Sequence, residues 1–471
     1  MLVHELASIV GDDYVRPGDS SDEFAHDSTF VTAAPEVVIR PGDTEQVAAV
    51  VALLVADGVP ITCRGAGTGL SGGAVAIEGG AIVCLDRLIK LEVDASSLTA
   101  VVGAGVITAD LQSAAALHGL MYPPDPASVA ICTIGGNIAT NAGGPSCLKY
   151  GVTSEYVMGL TIVLADGRVI KLGGKARKRS AGYRLAQLFV GSEGTLGIIT
   201  EAVLRLIPAP KARGAMLASF DSIAEASEAV IAILQSGHLP TACELIDRSS
   251  LGFVQDLLPE NFPKECGAVL LVEQDGRDSE GVGSELSDIM DITRKHRASN
   301  ETSEVEEEGR ARLWAARRSI GLRLIERRNH RLPEDICVPI DKISEMTAFI
   351  QTVAADFGLT IAVFGHAGDG NLHPSLIFED KELESLRRVS EAVMRIFDEA
   401  IRLGGSVSAE HGLGATKREF AERELGAEAV AYMKAIKAVF DPKGLLNPGK
   451  IFPTGSVVDA KFMESLPGWL P

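Results

Sequence analysis

Hydrophobic positions near the beginning of the chain follow a strand–helix–strand pattern. Residues 35–65, PEVVIRPGDTEQVAAVVALLVADGVPITCRG, contain a β-branched run, a helical segment and a second β-branched run. Asp43 is a natural N-cap with Gln46 at the reciprocal position, and Gly58 follows the last helical residues. The pattern therefore predicts a β-α-β unit whose second strand leads directly into a glycine-rich loop.

That loop, GTGLSG at residues 67–72, fits the dinucleotide fingerprint G-x-G-x-x-G. The residues after it, GAVAIEGGAIVCLDRL, contain glycine pairs and β-branched residues without helical periodicity, which predicts loop and strand. A nicotinamide-binding loop runs directly into a helix that holds the pyrophosphate, so the missing helix disfavours a nicotinamide-dependent dehydrogenase. The loop can still bind a pyrophosphate through a nest of backbone N–H groups.

Further patterns predict a first domain rich in glycine loops and a second domain of α+β type. A strand and a helix are expected over 99–120, and a hairpin over 159–174 with its turn at Asp166–Gly167. Residues 132–151 are glycine- and asparagine-rich, which predicts a long functional loop rather than a regular core element. After Pro210, strands and helices alternate, and the acidic run at 301–310 is interpreted as a solvated helical face.

Composition narrows the class of protein. The 471 residues are 46% hydrophobic and 23% charged, which is typical of a globular chain with a sizeable core. The formal charge of −19 excludes a nucleic-acid-binding surface as the main function, since phosphates would be repelled. The seven cysteines are scattered and form no C-x-x-C pair, which predicts a reducing, cytoplasmic environment. The N-terminus has no basic region, which argues against a signal peptide. No apolar run approaches 20 residues, so we expect no transmembrane segment. Membrane association would be peripheral, through partners.

Histidines and a glutamate are concentrated in the last third of the chain. His366 and His373 flank AGDGNL, and Glu410 and His411 follow in a glycine-rich turn. Two imidazoles and a carboxylate can hold a divalent cation with positions left open for substrate, provided that the chain bends between the histidines. A metallohydrolase could use this cluster alone, but it would leave three glycine-rich stretches without a purpose.

Several motifs, in order and correctly separated, carry a family resemblance over residues 35–452. RGAGTGLSGGA, PPDPAS, IGGNIATNAGG, KYG and GSEGTLGIITEAVLRLIPAP resemble the FAD-binding domain of the vanillyl-alcohol oxidase superfamily, the p-cresol methylhydroxylase (PCMH) type. FGHAGDGNLH, AEHGLG and FDPKGLLNPGK resemble its D-2-hydroxyacid dehydrogenase branch. That branch includes glycolate oxidase catalytic subunits, D-lactate dehydrogenases and D-2-hydroxyglutarate dehydrogenases.

The resemblance implies an α+β fold in three parts. A PCMH-type, two-subdomain FAD-binding domain would span 1–211, an α+β substrate (cap) domain with an antiparallel sheet 212–415, and a C-terminal segment returning to the flavin 416–471. FAD is expected to be non-covalent, because no histidine lies between His26 and His118, near the loop where some members attach it. The residues that the resemblance assigns to FAD are Arg64, Gly65, Gly67, Thr68, Gly69, Ser71, Pro124, Asp125, Ser128, Gly135, Gly136, Asn137, Thr140, Asn141, Gly143, Glu193, Gly194, Ile199 and Asn447.

The implied activity is the FAD-dependent oxidation of a small D-2-hydroxyacid, glycolate or D-lactate, to the 2-oxoacid. His366, His373 and Glu410 would bind a divalent metal (Zn, Mn or Fe), and His411 would be the general base. Arg317 matches the arginine that binds the substrate carboxylate in relatives, with Arg318 as the alternative.

Substrate size is less strongly indicated. Pro333 and Ser375 stand where diacid-oxidising members carry lysine and asparagine, which favours a monoacid. A D-2-hydroxyglutarate dehydrogenase-like enzyme and a non-catalytic flavin-binding subunit of an oxidase complex stay open as alternatives.

Partners beyond the substrate also stay open. The electron acceptor could be a quinone, a cytochrome or a partner flavoprotein, and the chain could form a homodimer or associate with other oxidase subunits. The basic cluster KARKR at 175–179, with Arg184 nearby, is interpreted as a solvated loop or as a docking surface for an acidic partner.

Overall fold

The computed structural model describes residues 2–18, 22–259, 262–263, 265–327, 330–379 and 382–454, so residues 455–471 of the predicted C-terminal segment lie outside the described residues. The α-helices are α1 (Leu2–Val10), α2 (Thr44–Ala56), α3 (Thr108–Ala116), α4 (Ile134–Thr140), α5 (Cys147–Tyr150), α6 (Ala186–Phe189), α7 (Ile223–Gln235), α8 (Arg248–Val254), α9 (Ser279–Lys295), α10 (Glu307–Arg327), α11 (Ile343–Phe357), α12 (Leu383–Arg402), α13 (Ala421–Leu425) and α14 (Ala427–Phe440). Short 3-10 helices span Asp12–Tyr14, Asp22–Phe24, Thr153–Glu155, Gln255–Leu257, Ile340–Lys342 and Arg418–Phe420.

The β-strands are β1 (Val15–Pro17), β2 (Val37–Ile39), β3 (Ile61–Arg64), β4 (Ala81–Cys84), β5 (Leu91–Asp94), β6 (Thr99–Gly103), β7 (Leu120–Met121), β8 (Val157–Val163), β9 (Val169–Gly173), β10 (Ile198–Arg205), β11 (Ile207–Pro208), β12 (Ala212–Phe220), β13 (Ala242–Asp247), β14 (Ala268–Gly276), β15 (Asn300–Glu304), β16 (His330–Pro333), β17 (Ile336–Cys337), β18 (Thr360–His366) and β19 (Asn371–Phe378). Helices and sheets are both prominent, which confirms the predicted α+β class.

The described residues form two compact units. The first unit draws on the ranges Met1–Gly143, Val152–Ala209 and Glu410–Pro471, and the second on Gly144–Gly151 and Pro210–Ala409. The first unit is therefore built from both ends of the sequence. Ile61 at the start of β3 forms a parallel bridge with Leu446 near the end of the described chain.

Two main sheets organise the first unit. One has the order β1-β2-β4-β3, in which β2, β4 and β3 run parallel, and the other has the antiparallel order β5-β6-β10-β8-β9. The predicted β-α-β unit is present as β2, α2 and β3. Asp43 accepts a hydrogen bond from the Gln46 N–H, and Gly58 follows the helix at φ +73°. The helix packs valines such as Val47 and Val51 into the core against the parallel strands.

The second glycine-rich stretch differs from the prediction. Residues 132–151 are not wholly irregular, because α4 and α5 form within them. The Thr133 hydroxyl accepts from the Gly136 N–H at the beginning of α4, and Asn141 ends it in the left-handed conformation at φ +55°. Two caps thus compensate for the low helix propensity of its two glycines.

The second unit is built around one large sheet. Its strands follow the order β15-β12-β14-β13-β18-β19-β16, all antiparallel, with β17 also paired to β19. Strands β13 and β19 are buried along their whole length, so the polar side chains that they carry, among them Glu244 and His373, are buried within the sheet. Helices α8 and α10 supply core side chains, including Leu251 and Trp314, that pack with these strands.

The acidic run at 301–310 is only partly helical. Residues 300–304 form β15, which pairs with β12, and α10 begins at Glu307. The prediction of one helical face over this run is therefore wrong for its first half, because pairing with β12 overrides the helix propensity of its glutamates. Among the described residues, no helix has both the length and the apolar character needed to span a bilayer.

Candidate flavin site and histidine cluster

A cavity of about 450 Å³ in the first unit is surrounded by the glycine-rich motifs. Its wall includes the loop after β3, residues of α4, the turn at Glu193–Gly194 and, from the last part of the chain, Glu410 and His411. As predicted, this loop continues to β4 without a helix. The three separate glycine-rich stretches of the sequence therefore converge on one place.

Glycine is required at particular points of this wall. Gly67 has φ +71°, and a Cβ there would lie 2.1 Å from Arg64 Nη2. At Gly65 a Cβ would lie 2.3 Å from the Thr133 hydroxyl, so the loop and the first cap of α4 are in close contact. Gly69 and Gly73 have no neighbour closer than 3.7 Å to an added Cβ, which would therefore occupy the cavity itself. The wall thus exposes backbone at positions where a side chain would occupy the space available to a ligand.

The predicted FAD residues divide into two groups. Thirteen line the cavity: Gly65, Gly67, Thr68, Gly69, Ser71, Ser128, Gly135, Gly136, Asn137, Thr140, Glu193, Gly194 and Ile199. Six do not line it: Arg64, Pro124, Asp125, Asn141, Gly143 and Asn447. Among these six, Arg64 and Asn447 support the loops that carry the first group. Their direct contact with FAD stays a prediction.

Two members of the second group show how this support works. Arg64 donates from Nη1 to the His26 carbonyl at 2.8 Å and from Nη2 to the Glu23 carbonyl at 3.0 Å. Asn447 donates from Nδ2 to the carbonyls of Gly73 at 3.0 Å and of Glu193 at 2.7 Å. Each side chain joins loops that are far apart in the sequence.

Glu193 joins the cavity to the turn that carries His411. Its buried carboxylate accepts from the backbone N–H groups of Leu413 at 2.9 Å and Gly414 at 2.8 Å. Burial raises the pKa of this carboxyl to about 7, although the two N–H groups and the charge of Lys450 act in the opposite direction. Burial likewise lowers the pKa of Lys450 to about 7.

The same turn is held from the glycine loop. Ser71 donates from its hydroxyl to the His411 carbonyl at 2.9 Å, and its own carbonyl accepts from the Ala415 N–H at 2.8 Å. The ring of His411 lies with Nε2 4.0 Å from a Glu410 carboxylate oxygen, and both side chains are largely buried. The first unit therefore places the predicted base, His411, in the wall of the predicted flavin cavity.

The second unit brings the other predicted histidines together. His366 ends β18 and His373 lies in β19, and the tight turn between these antiparallel strands puts their ring centroids 5.3 Å apart. Gly370 makes this turn at φ +78°, where a Cβ would lie 2.0 Å from the Val338 carbonyl. The bend that the sequence required between the two histidines is therefore a β-hairpin.

Glu244 links His366 to Arg317. This fully buried carboxylate on β13 lies 2.5 Å from His366 Nδ1 and accepts from Arg317 Nε at 2.6 Å. Burial alone would raise its pKa, but the charges of His366 and Arg317 lower it to about 2. With Nδ1 committed to Glu244, His366 has only Nε2 to offer a metal, which is the usual arrangement of a carboxylate-oriented histidine ligand.

Arg317, rather than Arg318, faces this cluster. The Arg317 guanidinium carbon lies 4.8 Å from the Phe364 ring centroid, whereas that of Arg318 lies 5.2 Å from the Trp314 ring centroid. The second unit thus anchors Arg317 and His366 on Glu244, and His373 joins the cluster through its ring contact with His366.

Arg331 is a second cation beside the cluster. It donates from Nε and Nη2 to the Ser375 hydroxyl at 3.1 Å each. Burial and the charge of Arg317 lower its pKa to about 10, and none of the described carboxylates forms an ion pair with it. Pro333 and Ser375, the two positions linked to substrate size, are directly paired across β16 and β19.

Asp335 completes the surroundings of His373. One carboxylate oxygen lies 3.8 Å from His373 Nδ1, and the other accepts from the Ser408 hydroxyl at 3.1 Å and the Ala409 N–H at 2.8 Å. The residue that follows Ala409 in the chain is Glu410. Asp335 therefore fixes the main chain immediately before a predicted metal ligand.

Sequence reasoning did not identify Glu244, Asp335 or Arg331. Glu244 carried a usable signal, because it is an acid inside the apolar strand ACELID, and a carboxylate buried in a sheet needs a cationic partner. Asp335 and Arg331 carried no comparable signal. Their importance depends on strand register, which the sequence pattern did not fix.

Family models match both parts of the chain. Residues 35–173 match the FAD binding domain, and residues 209–451 match the C-terminal domain of FAD linked oxidases. The chain belongs to the family of FAD linked oxidases. The matched ranges contain the first two glycine-rich stretches of the cavity and the histidines of the second unit, so this FAD linked oxidase is an FAD-binding oxidoreductase.

Individual relatives agree with this assignment. The FAD linked oxidase is 42% identical to the glycolate oxidase subunit GlcD of Bacillus subtilis, covering 91% of this chain and 92% of that protein. It is 36% identical to the D-lactate dehydrogenase of Anaerostipes hadrus, covering 93% and 94%. The crystal structure of p-cresol methylhydroxylase with substrate bound superposes with a TM-score of 0.77 at 18% identity, covering 97% of both chains. This likeness confirms the PCMH-type fold.

Proposed function

We propose that this chain oxidises a small D-2-hydroxyacid, glycolate or D-lactate, to the corresponding 2-oxoacid. The observation that carries the proposal is the position of His411, which lines the same cavity as the glycine loop and α4. A base in the wall of a flavin cavity suits the removal of a hydroxyl proton next to a hydride acceptor. Relatives named glycolate oxidase subunit and D-lactate dehydrogenase support this substrate class.

The first unit would bind FAD through its main chain. When bound, FAD supplies the hydride acceptor of the reaction. The wall around Gly67, Gly69 and Gly73 suits a pyrophosphate, because it offers backbone N–H groups and open space where side chains would intrude. Glu193 and Asn447 would keep this wall rigid through hydrogen bonds to Leu413, Gly414 and the Gly73 carbonyl.

A divalent metal would be held by His366, His373 and Glu410. Two imidazoles and a carboxylate are a borderline donor set that suits Zn²⁺, Mn²⁺ or Fe²⁺, and the Glu244 anchor on His366 fits a metal-binding tautomer. A cation there would lower the pKa of the substrate hydroxyl. Asp335, beside His373, is a further candidate ligand from the second unit.

The chain's own side chains would do the rest. His411 would accept the hydroxyl proton, since a neutral imidazole is an effective base near pH 7. Arg317 would hold the substrate carboxylate with its planar guanidinium, whose Nε is already fixed by Glu244. Orientation by these two groups would select one face of the substrate carbon and hence one enantiomer.

A diacid substrate is the second candidate, and Arg331 is the observation that favours it. Arg331 adds a second half-buried guanidinium near Arg317, and none of the described carboxylates pairs with it. Two arginines could bind the two carboxylates of D-2-hydroxyglutarate. Against this stand Pro333 and Ser375, which replace the polar pair of diacid-oxidising members.

The test is anaerobic bleaching of the bound flavin by glycolate, D-lactate, L-lactate and D-2-hydroxyglutarate. We expect D-lactate to reduce the flavin at least about tenfold faster than L-lactate, and chelation of metal to slow this reduction. His411→Gln should slow it by about 10²- to 10⁴-fold, the usual contribution of a positioned base. His118→Gln, a change at an exposed histidine, should leave the rate unaltered.

Equal reduction by both enantiomers, or full activity of the His411→Gln enzyme, would contradict the proposed mechanism. Faster reduction by D-2-hydroxyglutarate than by D-lactate, lost in Arg331→Leu, would favour the diacid. Reduction by none of the acids would indicate the non-catalytic subunit.

A further inference from the structure

A second concave site in the first unit is strongly basic. It is a groove of about 650 Å³ beside β9 and the loop that leads to α6. Five of its lining residues are cationic, and one, Glu155, is acidic; the cationic residues are Lys171, Arg177, Arg179, Arg184 and Arg205. We call this site the basic groove. This local concentration of positive charge contrasts with the formal net charge of −19 for the whole chain.

Most cations of the basic groove have no carboxylate partner in the fold, although Arg205 lies over the Tyr156 ring and Arg179 donates to the Gly173 carbonyl. Within the described part of the chain, Lys171, Arg177, Arg179 and Arg184 form no ion pair, and all four are exposed. By contrast, Lys175, in the same segment, forms an ion pair with Asp94 at 2.7 Å. Arginines without an ion-pair partner along a concave surface create a positive electrostatic potential, which attracts an anionic partner.

Apolar side chains accompany these charges. Tyr183 is 94% exposed, and Leu185 and Leu188 are 37% and 41% exposed in the same short segment. Tyrosine and arginine are the residue types enriched at the centres of protein–protein interfaces. Arginine also suits carboxylates through bidentate hydrogen bonds. The combination fits a protein surface that carries aspartates and glutamates better than it fits a flat lipid headgroup layer.

The groove is connected to the flavin cavity by a short path. The segment that carries Tyr183 and Leu185 continues through α6 to Glu193, which lines the cavity. On the way, the Gly191 N–H donates to the Ile138 carbonyl of α4 at 2.9 Å. On the other side of the groove, the Ser154 N–H donates to the side chain of Asn141, the cap of α4, at 2.8 Å. Hydrogen bonds therefore join the segments on both sides of the groove to α4, which is part of the cavity wall.

We propose that the basic groove is the docking site of an acidic electron-accepting protein. This inference rests on the proposed function, because it assigns the partner that reoxidises the flavin. In that step the reduced flavin would give two electrons to the redox groups of the acceptor and lose the one proton that it received with the substrate's hydride, so that FAD is restored; the hydroxyl proton would leave separately from His411. The groove residues take no part in the electron transfer; they bring the acceptor into position and raise its association rate.

The test uses the holoenzyme with two changes of equal charge. The groove variant is Arg177→Glu, Arg179→Glu, Arg184→Glu. The control variant is Lys295→Glu, Arg312→Glu, Arg387→Glu, which alters exposed cations outside the groove. Binding of fluorescent poly-L-glutamate is measured by anisotropy. Reoxidation is measured by mixing photoreduced enzyme with the acidic haem protein cytochrome b5, so that no hydroxyacid is required and failure of the proposed substrate does not affect the result.

We expect wild-type and control enzymes to bind poly-L-glutamate alike and the groove variant to bind at least about tenfold more weakly. The second-order rate of cytochrome b5 reduction should fall about tenfold in the groove variant, and the wild-type rate should decrease as salt is added. Equal binding or equal reduction rates in the groove and control variants would overturn the proposal. The proposal would also be overturned if phosphatidylserine vesicles bound the wild type and not the groove variant, while both proteins reduced cytochrome b5 at the same rate.

Discussion

Glu193 shows how one residue can line a cavity while its carboxylate holds a neighbouring turn. The resemblance assigned it to the FAD cradle, and it does line the cavity. Its carboxylate, however, is occupied by the N–H groups of Leu413 and Gly414, two and three residues after His411. Asn447 holds the Glu193 carbonyl as well. A change at Glu193 should therefore act on the turn of the predicted base as much as on flavin binding.

The protonation of Glu193 predicts a pH-dependent stability. Burial raises its pKa to about 7 in the folded protein, whereas an unfolded glutamate has a pKa of about 4.3. The folded state therefore holds the proton more tightly, and the stability that this gives is present at pH 4 and lost as pH rises towards 7. Glu193→Gln does not titrate, so from pH 5 to pH 7.5 the wild type should lose about 2–3 kcal/mol of unfolding free energy relative to it.

Urea unfolding followed by tryptophan fluorescence at the two pH values measures this difference. Glu92→Gln, at an exposed glutamate, is the control and should follow the wild type. A Glu193→Gln protein that parallels the wild type across the range would mean that the carboxyl is not protonated in this way.

At the scale of elements, α4 is the clearest case where tertiary contacts decide the outcome. Local propensity predicts a loop, because the helix contains two glycines and an asparagine. Gly135 is required for packing, since an added Cβ there would lie 2.7 Å from the Ala104 Cβ and 3.0 Å from its carbonyl oxygen. Asn137 is likewise used for packing, donating to the Thr108 hydroxyl at 2.7 Å. A sequence window cannot contain this information, because the contacts come from other elements.

Gly135→Ala should consequently destabilise the protein although alanine is the better helix former. The obstructing atoms belong to a main chain and a Cβ, which cannot rotate away, so we expect a loss of about 1–3 kcal/mol and weaker FAD binding. Gly252→Ala in α8 is the matched control, because nothing lies within 4 Å of its added Cβ, and it should be neutral or stabilising. Denaturation midpoints and FAD titration of the apoproteins measure both effects. Equal stability of the two variants would show that α4 can shift without cost.

At the scale of the whole molecule, the sequence predicted the types of the elements better than their partners. The β-α-β unit, the hairpin turn at Asp166–Gly167 and the missing helix after the glycine loop were all readable, because local periodicity and turn chemistry determine them. The helix prediction for the first half of the 301–310 run was wrong, because pairing with β12 overrode the helix propensity of these residues. Glu244 and Arg331 were missed for a related reason, since only the register of β13 with β18, and of β16 and β18 with β19, places them near the histidines.

The positions of the cavity-lining residues along the chain predict which segments FAD binding should stabilise. Every residue of that wall belongs to the first unit, so FAD added to apoprotein should slow hydrogen exchange most in residues 65–73, 133–141, 191–199 and 410–414. At an FAD concentration one hundred times Kd, the slowing should approach about 100-fold. Exchange measured by mass spectrometry tests this, with riboflavin as the control that lacks the pyrophosphate and should protect 65–73 less. Strongest protection within 210–409 would contradict the assignment of the cavity.

The first unit combines early and late segments of the chain, and this has a consequence for biosynthesis. Ile61 pairs with Leu446, and the Glu193 carboxylate accepts from Leu413 and Gly414, so the predicted flavin cavity cannot be completed until residues 410–446 have left the ribosome. The second unit, encoded in between, can fold while translation continues. Flavin loading should therefore be a late, post-translational event, and prematurely terminated chains should accumulate as colourless protein.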